Sequence, residues 1–181
     1  EEVAEAFDIL HMQGKVRFFG VSNHNPMQME LLQKYTSHKL VANQLQFSLT
    51  NSSMIDAGFN VNMEHSPALD RDGGVLEYCR LKEITIQAWS PLQYGVFEGT
   101  FIDNEEKFAS FNAKLKVFAD AKGVTKSAIA FAWILRHPAK IQAIAGTTSP
   151  EHLTELCRAA DICLSREEWY KLYRAAGNNL P

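Results

Sequence analysis

Three places in the sequence set small hydrogen-bonding or aromatic side chains just ahead of a proline: Ser22–Asn23–His24 before Asn25–Pro26, Trp89–Ser90 before Pro91–Leu92, and Gly146–Thr147–Thr148 before Ser149–Pro150. Each follows an apolar run that reads as a strand. A further stretch, Leu40–Leu49, offers Asn43, Gln44 and Gln46. In parallel β/α folds the ligand lies at the carboxyl ends of the strands, so these residues form the inventory of a site. They supply amide donors and acceptors, one indole plane and a hydroxyl-rich helix start. Such a set suits a planar, amide-bearing ring stacked on Trp89 and a phosphate held by helix-end N–H groups. Asp, Glu and Lys are missing from the inventory, and His24 is its one titratable member. The set binds rather than reacts.

Taken singly, each feature has a plainer reading. Ser22–Asn23 can be a turn, Gln44 can satisfy a buried backbone group, Trp89 can be core, and Thr147–Thr148 can merely start a helix. His11, His38 and His137 fall at helix ends or turns with no i, i+4 pairing, which marks them as structural and leaves no metal site. Cys79, Cys157 and Cys163 show no C-x-x-C spacing. They are expected to be small buried hydrophobes in a reducing, cytoplasmic setting.

The chain has 181 residues, 46% hydrophobic and 22% charged, with net charge −3. That balance gives no reason to expect nucleic acid or an anionic membrane as partner. No apolar run approaches the roughly 20 residues that span a bilayer. The acidic start, without an initiator Met and already helical, reads as a piece of something longer.

The elements that must position these residues alternate. A helix over Val3–Met12 stops at Gly14, and "VRFFGVSN" follows as the first strand. Asn25, Pro26 and Gln28 then form the cap of a helix reaching about Tyr35. "LVANQLQFSL" is the second strand, and Thr50–Gly74 is expected to be a long loop. Val75–Glu83 is a helix, "ITIQAWS" the third strand, and Gln93–Asn104 a loop carrying Tyr94, Phe97 and Phe101. Phe108, Phe111, Leu115 and Phe118 mark a long amphipathic helix that Gly123 stops. Thr125 caps another through about Arg136, and "IQAIAG" is the fourth strand. Ser149–Pro150 opens the next helix, and Ser165 with Glu168 caps a last one ended by Gly177. Alternating β and α elements predict an α/β fold with a parallel sheet. No G-x-G-x-x-G follows a strand, which disfavours a dinucleotide-type open sheet. A (β/α)8 barrel needs eight strands, and this chain has four, so residues 1–181 read as a single unit forming about half a barrel.

"GKVRFFGVSN", "NQLQFS", "AWSPL" and "AGTTSPEHL", in this order on successive strands, resemble the C-terminal half of an aldo-keto reductase. The closing "LSREEWYKLYRAAGNNLP" resembles bacterial members. The resemblance implies a TIM-type barrel that reduces aldehydes or ketones with NADPH. It implies that Ser22, Asn23 and Gln44 bond the nicotinamide carboxamide and that Trp89 stacks on its ring. Ser90, Pro91 and Leu92 with the following loop would cover the pyrophosphate, and Gly146, Thr147, Thr148 and His152 would meet the adenosine 2′-phosphate and adenine. Many members carry Lys and Arg where this sequence has Gly146 and His152. Two cations that favour a 2′-phosphate are therefore absent, and NADH is admissible beside NADPH. The family's Asp, Tyr, Lys and His tetrad belongs to the first half of the barrel, so no catalytic residue is named within Glu1–Pro181. The competing expectation is a nucleotide-binding regulatory or degenerate relative. A sugar-phosphate barrel enzyme would leave Trp89 and the Ser–Asn pair unexplained. The half barrel's two unpaired edges, near Phe18–Val21 and Ile141–Ala145, predict self-association.

Overall fold

The sequence builds its helices from local caps, and the computed structural model, which describes residues 1–96 and 98–181, shows those caps formed. Phe97, expected in the loop after the third strand, lies outside the described residues. Helix α1 (Glu2–Met12) turns off at Gly14, whose φ is 66°. Strand β1 (Phe19–Ser22) leads to α2 (Pro26–Gln33), where the Gln28 N–H donates to Asn25 Oδ1 and the Asn25 N–H donates to Gln28 Oε1, both at 2.9 Å. The order continues β2 (Leu40–Gln46), α3 (Ser53–Phe59), α4 (Val75–Leu81), β3 (Thr85–Trp89), α5 (Glu105–Lys122), α6 (Lys126–Leu135), β4 (Gln142–Ala143), α7 (Pro150–Cys157) and α8 (Arg166–Ala175). Thr125, Ser149 and Ser165 each accept the N–H that their caps require.

The four strands form one parallel sheet in the order β1-β2-β3-β4. Gly20 is needed there: a Cβ at that position would stand 2.9 Å from the Ala42 carbonyl oxygen, where the β1–β2 register shifts. Asn43, Ile86 and Ala88 are buried against the helices. The intervening residues Gln44, Gln46, Gln87 and Trp89 lie on the other, more open face, with Gln44 beside Gln87 and Gln46 beside Trp89.

Under the helical layer, α6 and α8 exchange bonds through their indoles. Trp133 Nε1 donates to the Trp169 carbonyl (3.2 Å), Trp169 Nε1 donates to the Trp133 carbonyl (2.9 Å), and the rings stack at 4.8 Å. Tyr173 joins the stack and donates its hydroxyl to Asp56 Oδ1 at 2.6 Å, tying α8 to α3. Buried Asn112 on α5 donates to the Phe101 carbonyl (2.7 Å) and accepts the Asp103 N–H (3.0 Å), pinning the loop that follows β3.

Three expectations need correction. The expected loop Thr50–Gly74 contains α3 and a 3-10 turn at Ser66–Ala68. Helix α3 is held by tertiary contacts, since Met54 and Ile55 are buried and Asp56 is bonded to α8. The fourth strand shrinks to Gln142–Ala143, after which the Ile144 N–H still donates to the Ala88 carbonyl at 2.9 Å. Cys79 is buried as expected, but Cys157 and Cys163 are exposed: α7 turns its buried side through Leu156, and Cys163 precedes the buried Leu164.

Candidate cofactor site at the strand ends

Ser22 closes β1, Gln44 stands two residues from the end of β2, and Trp89 closes β3. Parallel pairing brings all three to one edge of the sheet. The Ser22 hydroxyl donates to the Gln44 carbonyl at 3.2 Å, and the Asn23 N–H donates to the same oxygen at 2.9 Å. Asn23 has φ 55°, a left-handed conformation that Asn tolerates better than most residues and that turns its side chain back over the sheet. There Trp89 Nε1 donates to Asn23 Oδ1 at 3.1 Å. Residues 66 apart in sequence are thus joined directly, and Trp89 is half-buried rather than core.

Gln44 is oriented by two residues that the sequence reading did not single out. Its Nε2 donates to Gln87 Oε1 at 2.9 Å, and Gln87 Nε2 donates to Gln142 Oε1 at 3.0 Å. This ladder crosses three paired strands with one sense of donation, so Gln44 must present Oε1 as a free acceptor. The period-2 pattern of "TIQAW" places Gln87 beside Trp89's face, and the register with Gln44 was the missing information.

Asn43 and Gln46, the other candidates on β2, diverge. Asn43 points into the helical layer, donating to the His24 carbonyl at 2.8 Å, and is no ligand group. Gln46 pairs in register with Trp89, and its Nε2 is buried without a partner among the described residues. It lines a cavity of about 310 Å³ together with Asn23, His24, Gln28, Arg71 and Asp72. Arg71 is spent on the Ser66 and Leu69 carbonyls (3.2 and 3.1 Å), and Asp72 caps α4 through the Gly74 and Val75 N–H groups. Burial pushes the Asp72 carboxyl above its ordinary range. His24 donates its Nδ1–H to the Ser22 carbonyl, 2.8 Å away.

Ser90 also has a positive φ, 48°, and accepts the Gln93 N–H at 3.0 Å. Pro91 is buried, and the Leu92 carbonyl accepts from Phe101 N–H and Thr100 Oγ1, folding the loop back on β3. Gly146, Thr147, Thr148 and His152 follow β4 in the next position of the sheet. Thr147 Oγ1 accepts the Ser149 N–H (3.1 Å), and Ser149 Oγ accepts the His152 N–H (3.1 Å), so this segment forms a capped start of α7. A Cβ on Gly146 would meet nothing within 4 Å, which leaves its backbone open to approach. No hydrogen bond among the described residues joins this group to the Ser22–Trp89 cluster.

Residues 1–176 match the Aldo/keto reductase family model. The chain belongs to the aldo/keto reductase family. It is 33% identical over 177 residues to a 6-dehydroglucose reductase of Agrobacterium fabrum, covering 97% of this chain and 52% of the relative. It is 30% identical over 183 residues to the oxidoreductase YdhF of Escherichia coli, covering 100% of this chain and 54% of the relative. Among solved structures, an aldo-keto reductase from Klebsiella pneumoniae in complex with NADPH superposes with TM-score 0.72 at 26% identity, over 97% of this chain and 53% of that one. The chain therefore spans about half the length of the aldo/keto reductases it matches, and its four parallel strands correspond to part of their barrel.

Proposed function

We propose that residues 1–181 form a single unit carrying most of the nicotinamide-cofactor site of an NADPH-dependent oxidoreductase that reduces aldehydes or ketones. The observation that carries this reading is the bond from Trp89 Nε1 to Asn23 Oδ1, which sets an indole beside three uncharged polar groups at the strand ends. With Oδ1 engaged, Asn23 turns its Nδ2 donors outward, while Gln44 offers Oε1 and Ser22 Oγ retains lone pairs. One donor between two acceptors complements a carboxamide, whose oxygen accepts and whose NH2 donates.

NADPH, when bound, supplies the hydride that reduces the carbonyl. Trp89 would cover one face of the ring and leave the other to substrate, while Asn23, Ser22 and Gln44 fix its rotation. Ser90 to Leu92 would line the pyrophosphate, and the N–H groups and hydroxyls from Gly146 to His152 would receive the adenosine phosphate. That last segment presents no Lys or Arg, so discrimination against NADH is weak. The Asp, Tyr, Lys and His tetrad would come from sequence outside Glu1–Pro181. In support, the described residues place no Asp, Glu, Lys or Tyr in the Ser22–Trp89 cluster. Calorimetric titration with NADPH tests the reading. One-to-one binding, weakened about tenfold or more in Asn23→Ala, supports it, and wild-type protein that takes up no heat with NADPH or NADH overturns it.

A further inference from the structure

The ends of α3, α6 and α8 meet at a cleft of about 240 Å³ that shares no residue with the strand-end site. Its walls are three aromatic rings at steep angles: Phe59 lies 6.2 Å from Trp169 at 74°, and Trp169 lies 5.0 Å from Tyr170 at 86°. The reciprocal indole-to-carbonyl bonds of Trp133 and Trp169 fix the orientation of the largest wall. The polar lining is made almost entirely of donors. Arg136 spends Nε on the Leu164 carbonyl (2.9 Å), and its terminal nitrogens bond no group among the described residues. Arg166 lies 5.8 Å over the Tyr170 ring. Neither guanidinium stands within 4 Å of a carboxylate among the described residues, and no Asp or Glu lines the cleft.

The third donor is His137, only 9% exposed. Its Nδ1 accepts the Ala139 N–H at 3.2 Å, so the hydrogen of the neutral ring resides on Nε2, which has no hydrogen-bond partner among the described residues. Burial, with Arg80 nearby, holds this imidazole down at about 4, so the ring is neutral near neutral pH and its Nε2–H is a fixed donor. His137 lines the cleft and its Nε2–H makes no bond to protein among the described residues, so it is available to an acceptor that enters there. We propose that this cleft binds a small aromatic anion, its ring between Phe59, Trp169 and Tyr170 and its carboxylate or phosphate on Arg136, Arg166 and His137 Nε2–H. The volume falls below the ~300–1,000 Å³ typical of drug-sized sites, which suits one ring bearing one anionic group.

The test titrates the 181-residue chain with phenyl phosphate, benzoate and inorganic phosphate, following the His137 Nε2–H resonance by NMR and the heat by calorimetry. The expected result is a saturable shift of that resonance with phenyl phosphate or benzoate. Inorganic phosphate should bind at least about tenfold more weakly because it leaves the rings unfilled. Arg166→Gln and Arg136→Gln should each weaken the aromatic anion about tenfold, with unchanged Trp133 and Trp169 indole N–H resonances showing that the fold is intact. No saturable shift with either aromatic anion overturns the proposal. So does equal affinity for inorganic phosphate, or affinity that neither arginine substitution changes.

Discussion

Gln87 touches no proposed ligand atom, yet it determines what Gln44 offers. Replacing it with Leu removes the acceptor of Gln44 Nε2 and the donor to Gln142, so the Gln44 amide is free to rotate. We expect Gln87→Leu to weaken NADPH about three- to tenfold, in line with one misplaced hydrogen bond, and to leave 2′,5′-ADP, which lacks the nicotinamide, unaffected. Equal losses for both ligands would show that Gln87 matters only to the fold. His137 makes a separate prediction at this scale. Its folded value, about 4, lies below the ordinary 6.5, so in that window the unfolded chain binds the proton and the folded chain does not. Stability is therefore fully present above about 6.5 and falls as pH drops toward about 4. Urea melts across that window should show the decline, and in His137→Gln the slope should flatten. An unchanged slope in that variant would assign acid sensitivity elsewhere.

At the scale of elements, Asn112 is the joint between α5 and the loop after β3. Its side chain reaches the Phe101 and Phe108 carbonyls and the Asp103 N–H, and Lys126 of α6 donates to its Oδ1 at 3.2 Å. Asn112→Leu should cost roughly 2–4 kcal/mol, since several buried backbone groups lose their partner at once, measurable as a shifted denaturant midpoint. A change under about 0.5 kcal/mol would mean that water replaces the amide. The elements that the sequence made legible are those with local signals. Asn25–Gln28, Thr125, Ser149 and Ser165–Glu168 cap within one turn, and all four caps form. Helix α3 was illegible because seven residues, one of them Gly58, give too short a period, and its order comes from Tyr173, more than a hundred residues away. The strand-end candidates were legible as a set of residue types. The register that makes Gln44, Gln87 and Gln142 one ladder depends on pairing across strands, which no local pattern carries.

For the whole molecule, the consequence is an open sheet. Strands β1 and β4 each have one neighbour among the described residues, and a groove lined by Phe18, Gly20, Ser22, Gln44 and Gln87 lies along the face opposite the helices. Phe18 is 70% exposed at the β1 edge. Unpaired parallel edges with an exposed aromatic favour association, so the 181-residue chain should sediment as dimers or larger species at micromolar concentration. Phe18→Lys should shift the population toward monomer. A monodisperse monomer at every concentration would contradict this reading of the edges. The central claim is that Trp89 and Asn23 together hold a nicotinamide amide at the strand ends, and its most direct test is tryptophan-excited fluorescence during NADPH titration. Saturable quenching with sensitised nicotinamide emission is expected in the wild type and should be lost in Trp89→Leu although Trp133 and Trp169 remain. Sensitised emission that persists undiminished in Trp89→Leu would contradict it.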